Sequence, residues 1–209
     1  MLDGASFANE KASPVENDLC PPEIRPHEAL ARIARPGTDV ALWERHLDAA
    51  LEQELAALKL AELDDLTFEC TIPDLAAGIA QALDDAGYPH CPALRRDIAM
   101  LARCHVEVLA AERIRLRLEV IETDACRRFH ADFVTVRTIT TYLGRGTQWT
   151  QAPGSDWQPE MIRELSAGTV AMFKGRLLQP EPSILHRSPP IAESGESRLV
   201  LVIDSMEAR

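Results

Sequence analysis

The chain has 209 residues, 46% of them hydrophobic, and a formal net charge of −11. That length fits one domain, and that apolar share is ample for a core. The acidic balance excludes a chain-wide basic footprint for nucleic acid. No apolar run approaches the ~20 residues of a membrane helix, so neither nucleic acid nor a membrane is an expected partner.

Residues 1–26 are polar and Pro-bearing and read as a flexible N-terminal arm; residues 27–209 read as a single domain. His27 to Ala34 suits a short helix stopped by Pro36-Gly37. Asp39 to Leu60 reads as the clearest helix, with Val40, Trp43, Leu47, Leu51, Leu55 and Leu58 stepping by three or four. Further helices are expected over Asp74 to Ala86 and Pro92 to Ala111. The third carries His105, read as a structural histidine.

The character changes after Arg113. Ile114 to Glu122 alternates apolar and charged residues, the mark of a half-buried strand. Short strands are expected at about 133–143, 147–151, 168–174, 183–187 and 198–204, punctuated by Gly and Pro. The chain therefore reads as α+β. Residues 27–112 are mainly helical and form an N-terminal layer, and 113–205 form a β core of barrel or jelly-roll type.

Five cysteines, at 20, 70, 91, 104 and 126, make no CxxC pair and no zinc-finger spacing. The first twenty residues lack both a basic n-region and an apolar h-region. Reduced thiols and a cytoplasmic location are the expectation.

Two stretches concentrate the chemistry. The first, CRRFHADFVTVRTITTYLG from Cys126 to Gly144, holds His130 and Asp132, two apart. In an extended segment, residues i and i+2 point to the same side. The second runs from Leu185 to Asp204 and holds a lone His186, 54 residues after Asp132, and Arg198 at the head of an apolar strand. Two histidines and a carboxylate suit a facial triad on a non-haem Fe(II) ion.

FHADFVTVRTITTYLG, GTVAMFKG and LHRSPPIAESGESRLVLVID together resemble the core of the double-stranded β-helix oxygenases that use Fe(II) and 2-oxoglutarate, in their prolyl-hydroxylase-like branch. At finer grain the chain resembles the bacterial family known as domain of unknown function 1826, over roughly residues 25–205. Cys126-x-x-Phe129-His130-x-Asp132, Gly146-Thr147-Gln148-Trp149, Lys174-Gly175 and His186-Arg187-Ser188-Pro189-Pro190 carry that resemblance. The first resemblance implies a cupin-like jelly roll, metal ligands His130, Asp132 and His186, and 2-oxoglutarate as cosubstrate with Arg198 and Tyr142 on its distal carboxylate. The second implies a link to zinc-responsive gene neighbourhoods. Gly144 departs from the oxygenase pattern, which has Asn there, and the stretch from Leu143 to Gly168 is short.

Arginine suits the distal carboxylate because its planar fork binds it in bidentate fashion and stays charged. Beside a non-catalytic β-helix scaffold that binds a partner through its helical N-terminal half, two functional classes stay open. One is an Fe(II)/2-oxoglutarate-dependent oxygenase acting on a small-molecule or unidentified substrate. The other is a cupin-like metal-binding protein of zinc homeostasis, in which Cys126 joins the triad as a fourth zinc ligand. Cys126 and Lys174 are additional site candidates.

Overall fold

The computed structural model describes residues 26–152 and 158–206. Apart from Pro26, the arm expected over 1–26 lies outside them, as does Cys20. Helices form where apolar residues recur every three or four positions. Helix α1 (Pro26–Leu30) runs on into a 3-10 turn, and α2 (Ala49–Ala56) follows. Helix α3 (Leu75–Asp85) buries Leu75, Ile79 and Leu83. Helix α4 (Pro92–Leu109) buries Leu94, Ile98, Leu101 and His105 along one stripe. Its first free amides, on Ala93 and Leu94, each donate to a Glu54 carboxylate oxygen at 2.9 Å. A negative charge there also suits the helix dipole.

Among the described residues nine strands form two antiparallel sheets. They are β1 (Val40–Trp43), β2 (Leu66–Cys70), β3 (Arg113–Ile121), β4 (Val136–Leu143), β5 (Gln148–Gln151), β6 (Arg163–Glu164), β7 (Val170–Lys174), β8 (Ile184–Arg187) and β9 (Arg198–Met206). The larger sheet has the order β1-β7-β4-β9-β3-β2, and the smaller is β6-β5-β8.

Side-chain alternation gives the larger sheet two different faces. Leu199, Leu201 and Ile203 of β9 and Ile114, Leu116 and Leu118 of β3 join the helices in one core. Each is at most 1% exposed, and burying such a side chain is worth about 1.5–3 kcal/mol. Ile139, Ala171, Phe173, Val200 and Val202 point the other way and meet Trp149, Leu165 and Ile184 from around the smaller sheet. The space between the sheets is where the polar residues of interest collect.

The expected helix over 39–60 is corrected. Its first part is strand β1, paired with β7, and only α2 is helical. Val40-Ala41-Leu42-Trp43 is a continuous apolar run, which fits a helical stripe and a two-sided strand equally well. The exposed edge of β7 decides between them by supplying backbone partners. The helix starts only after Asp48, whose side chain accepts from Leu51 N at 2.9 Å, a standard N-cap. Strands β2 and β6 lie outside the strands that the sequence predicts, and through β1 and β2 the region 27–112 contributes two of the six strands of the larger sheet.

Candidate metal centre

His130 lies ahead of β4 and forms an isolated antiparallel bridge with His186 of β8. His130 N donates to His186 O at 3.0 Å, and His186 N donates to His130 O at 2.9 Å. This pairing brings the two rings to one side, with centroids 4.9 Å apart. His186 is buried against Phe173, whose ring centroid is 4.7 Å away.

Asp132 follows in the loop before β4. That loop lies flat against Gly175, where a Cβ would stand 2.2 Å from Val134 O. Only glycine permits that approach. Arg176 N then donates to Asp132 O at 2.8 Å, fixing the backbone that carries the carboxylate.

The three side chains converge. Their donor atoms all lie within 4.8 Å of one another. His186 Nε2 is 2.9 Å from Asp132 Oδ2, and His130 Nε2 is 3.6 Å from Asp132 Oδ1. Yet the buried Oδ2 has no hydrogen-bond partner, so His186 approaches it without the alignment of a hydrogen bond. A buried, unsatisfied carboxylate oxygen is costly. A cation held by both atoms would remove that cost.

The tautomer of His130 agrees. Its Nδ1 is 2.8 Å from Arg128 O. A carbonyl only accepts, so Nδ1 carries the hydrogen and Nε2 keeps its lone pair for a metal. Burial opposes the charge on Asp132, but the contacts of His130 and His186 and the Arg137 guanidinium hold its carboxyl well below the usual range. The Asp132 contact pushes His130 up, against burial. The residues therefore fit a divalent ion: one ionised oxygen and two ring nitrogens, one of them of settled tautomer.

Arg198 opens β9 and shares the side-chain parity of Val200 and Val202, so it faces the space between the sheets. It is 1% exposed. Its Nε donates to Arg145 O at 2.6 Å and its Nη1 to Ser188 Oγ at 2.9 Å. The two Nη2 contacts are long, 3.3 Å to Thr141 Oγ1 and 3.5 Å to Thr147 Oγ1. All four partners are neutral, and among the described residues no carboxylate forms an ion pair with it. Burial pushes the guanidinium down to about 10, with Glu164 acting at a distance in the opposite sense.

Arg198, His130 and His186 line one cavity of about 90 Å³, together with Arg117, Arg137 and Glu119. That is several times the space a single water needs. Ser188, which touches Arg198, lies two residues after His186, so the two span at most about 7 Å of chain.

Tyr142 is not in this cavity. It faces the helical layer, where its hydroxyl donates to Asp97 Oδ2 at 2.6 Å, and Asp97 is clamped by Arg45. Alternation along β4 sends Arg137, Ile139 and Thr141 to the cavity side and Tyr142 to the other. The expected sharing of a carboxylate by Tyr142 and Arg198 is thereby corrected. Lys174 is corrected for the same reason: it follows the inward Phe173 and reaches Arg35 O at 3.4 Å instead. Cys70, Cys91 and Cys104 are buried free thiols, and Cys126 is an exposed free thiol. Its residue lines the cavity, but it is not among the three converging ligands found in the described residues.

Sequence reading missed Arg137 as the partner of Asp132, at 2.5 Å, and Ser188 as a partner of Arg198. The alternation that pairs His130 with Asp132 also pairs His186 with Ser188, so that signal was present.

No curated protein matches this chain. Among solved structures, a Pseudomonas putida prolyl-4-hydroxylase aligns with a TM-score of 0.50 at 15% identity, over 87% of this chain and 99% of the other. A bsmA homolog from Methylobium petroleophilum PM1 aligns with a TM-score of 0.51 at 13% identity, over 86% of this chain and 92% of the other. At such identities the likeness is one of fold. The model of one protein family spans residues 25–204, and by that match the chain belongs to the family described as "Protein of unknown function (DUF1826)".

Proposed function

We propose that this chain is an Fe(II)- and 2-oxoglutarate-dependent oxygenase built on a double-stranded β-helix. The observation that carries this reading is Arg198: a buried guanidinium with only neutral hydrogen-bond partners, in a cavity that His130 and His186 also line. Burying a cation without a counter-charge costs several kcal/mol. A dicarboxylate bound in the cavity would remove that cost. The fold likeness to a prolyl-4-hydroxylase supports the same reading.

In this reading His130, Asp132 and His186 would hold the ion, and ferrous iron with 2-oxoglutarate would supply the activation of dioxygen. Arg198 takes the distal carboxylate, with the Ser188 and Thr147 hydroxyls beside it. His130 is the open side of the centre, its side chain 37% exposed against 14% for Asp132 and 7% for His186. Substrate approaches past His130. On the cavity lining Arg117 and Arg137 are paired with Glu119, Asp132 and Asp204, whereas Arg187 and Arg198 have neutral hydrogen-bond partners, and this uncompensated positive charge draws in small anions. A small-molecule substrate fits this better than a nucleic acid. Free thiols fit a cytoplasmic setting, and no helix among the described residues is long and apolar enough to cross a membrane.

The test is anaerobic titration of Fe(II)-loaded protein with 2-oxoglutarate. The expected result is the visible charge-transfer absorption of a chelated 2-oxo acid, then release of succinate on admitting air. Iron uptake without any response to 2-oxoglutarate would remove the oxygenase and leave a metal-binding protein.

A further inference from the structure

Asp132 is not held by the histidines alone. Arg137 of β4 places Nη1 2.5 Å from Asp132 Oδ1. Its Nε and Nη2 each lie 2.7 Å from one carboxylate oxygen of Asp204 on β9. Arg137 and Asp204 stand opposite each other in the β4–β9 register, and Asp204 is buried. Arg117 of β3 adds a second cation 3.6 Å from Asp204 Oδ2. The guanidinium plane is thus fixed by one bidentate carboxylate within the sheet, and its remaining donor reaches the loop that carries Asp132. The two oxygens of Asp132 end up in different states. Oδ1 is engaged by Arg137, and Oδ2 is buried, has no hydrogen-bond partner and lies 2.9 Å from His186 Nε2.

We infer that Arg137 is a positioning residue that occupies Oδ1 of Asp132, so that the carboxylate offers Oδ2 alone to the ion. The inference rests on the metal-centre reading above and deepens it. A carboxylate binds a cation through one oxygen or through two. Bound through one, Asp132 takes a single coordination position and leaves room for further ligands beside the histidines. Bound through two, it would crowd the open side next to His130. A lysine cannot replace the arginine here. Its ammonium is a point charge on a flexible stem and has no fork to bridge Asp204 and Asp132 in one plane.

The experiment uses full-length protein and Co(II), which is stable in air and whose visible absorption reports coordination number. Calorimetry gives the affinity. Arg137→Lys keeps a cation beside Asp204 and is expected to fold. It should bind Co(II) about 10–100-fold more weakly with an altered visible spectrum. Arg137→Gln should shift both in the same direction. Tyr142→Phe, which loosens the opposite face of the same strand, should leave Co(II) affinity and spectrum at their wild-type values, which separates positioning from general loosening. A folded Arg137→Lys protein with wild-type affinity and spectrum overturns the inference while leaving the metal centre intact. Failure of the wild type to bind Co(II) overturns the metal centre and the inference with it.

Discussion

Arg198 and Tyr142 sit on paired strands of one sheet and point to opposite faces of it. Arg198 enters the space between the sheets and finds Arg145 O, Ser188, Thr141 and Thr147. Tyr142 enters the helical core and donates to Asp97, which Arg45 also holds. The sheet is therefore the wall between the cavity lined by Arg198 and a closed ion-pair network, and the two can be perturbed separately.

Arg198→Ala should abolish measurable 2-oxoglutarate binding while metal binding survives. Losing one partner of a buried, hydrogen-bonded charge pair costs about 2–5 kcal/mol, roughly 30-fold or more in affinity. Calorimetry on anaerobic, Fe(II)-loaded wild type and variant measures this. Equal affinities in the two proteins would detach Arg198 from the cosubstrate.

Tyr142→Phe should lower stability and spare the cavity. The lost bond is to an ionised carboxylate, so the expected cost is about 1–3 kcal/mol in urea unfolding, with 2-oxoglutarate affinity unchanged. A selective loss of 2-oxoglutarate binding at constant stability would put Tyr142 back in the site.

His105 makes stability depend on pH. It is fully buried between α4 and the sheet, with Nδ1 2.7 Å from Thr138 Oγ1 and Nε2 2.9 Å from Ser205 Oγ. Burial pushes its pKa down from 6.5 to about 4, with Asp204 pulling weakly the other way. The folded state thus holds His105 neutral while the unfolded chain protonates near 6.5. Its contribution is complete above about pH 6.5 and is lost as pH falls toward 4, on the order of 3 kcal/mol across that window. His105→Gln should flatten the pH dependence of urea unfolding between pH 7 and 4 relative to wild type. Parallel curves for the two proteins would contradict a neutral, buried His105.

Gly144→Ala should loosen the head of β9. Gly144 has φ +78°, and a Cβ there would stand 2.5 Å from Ser197 O and 3.1 Å from Arg198 Cγ. Left-handed backbone costs a non-glycine residue about 1–2 kcal/mol, and the clash adds to it. The variant should be destabilised by about 2 kcal/mol or more and bind 2-oxoglutarate less tightly. Wild-type behaviour in both measurements would show that the turn relaxes freely. The same clash accounts for the glycine after Tyr142-Leu143 in this chain.

Sequence by itself determined the elements whose pattern has one reading. Helices α3 and α4 and strand β3 fall close to where periodicity places them, because amphipathic stripes and strict alternation each fit one geometry. It also singled out His130, Asp132 and His186, the three side chains that the structure brings together, since i, i+2 spacing and a distal histidine are local facts. Tertiary structure decided the rest. Val40-Ala41-Leu42-Trp43 became strand β1 because the edge of β7 lay open beside it. Tyr142 left the cavity because the parity of β4 is set by its pairing with β7 and β9, which no local pattern near Tyr142 encodes. Arg137 became the partner of Asp132 only when the β4–β9 register set it against Asp204. Backbone periodicity says which residues share a face. Which face looks into the site is fixed only when strands far apart in the chain hydrogen-bond to one another.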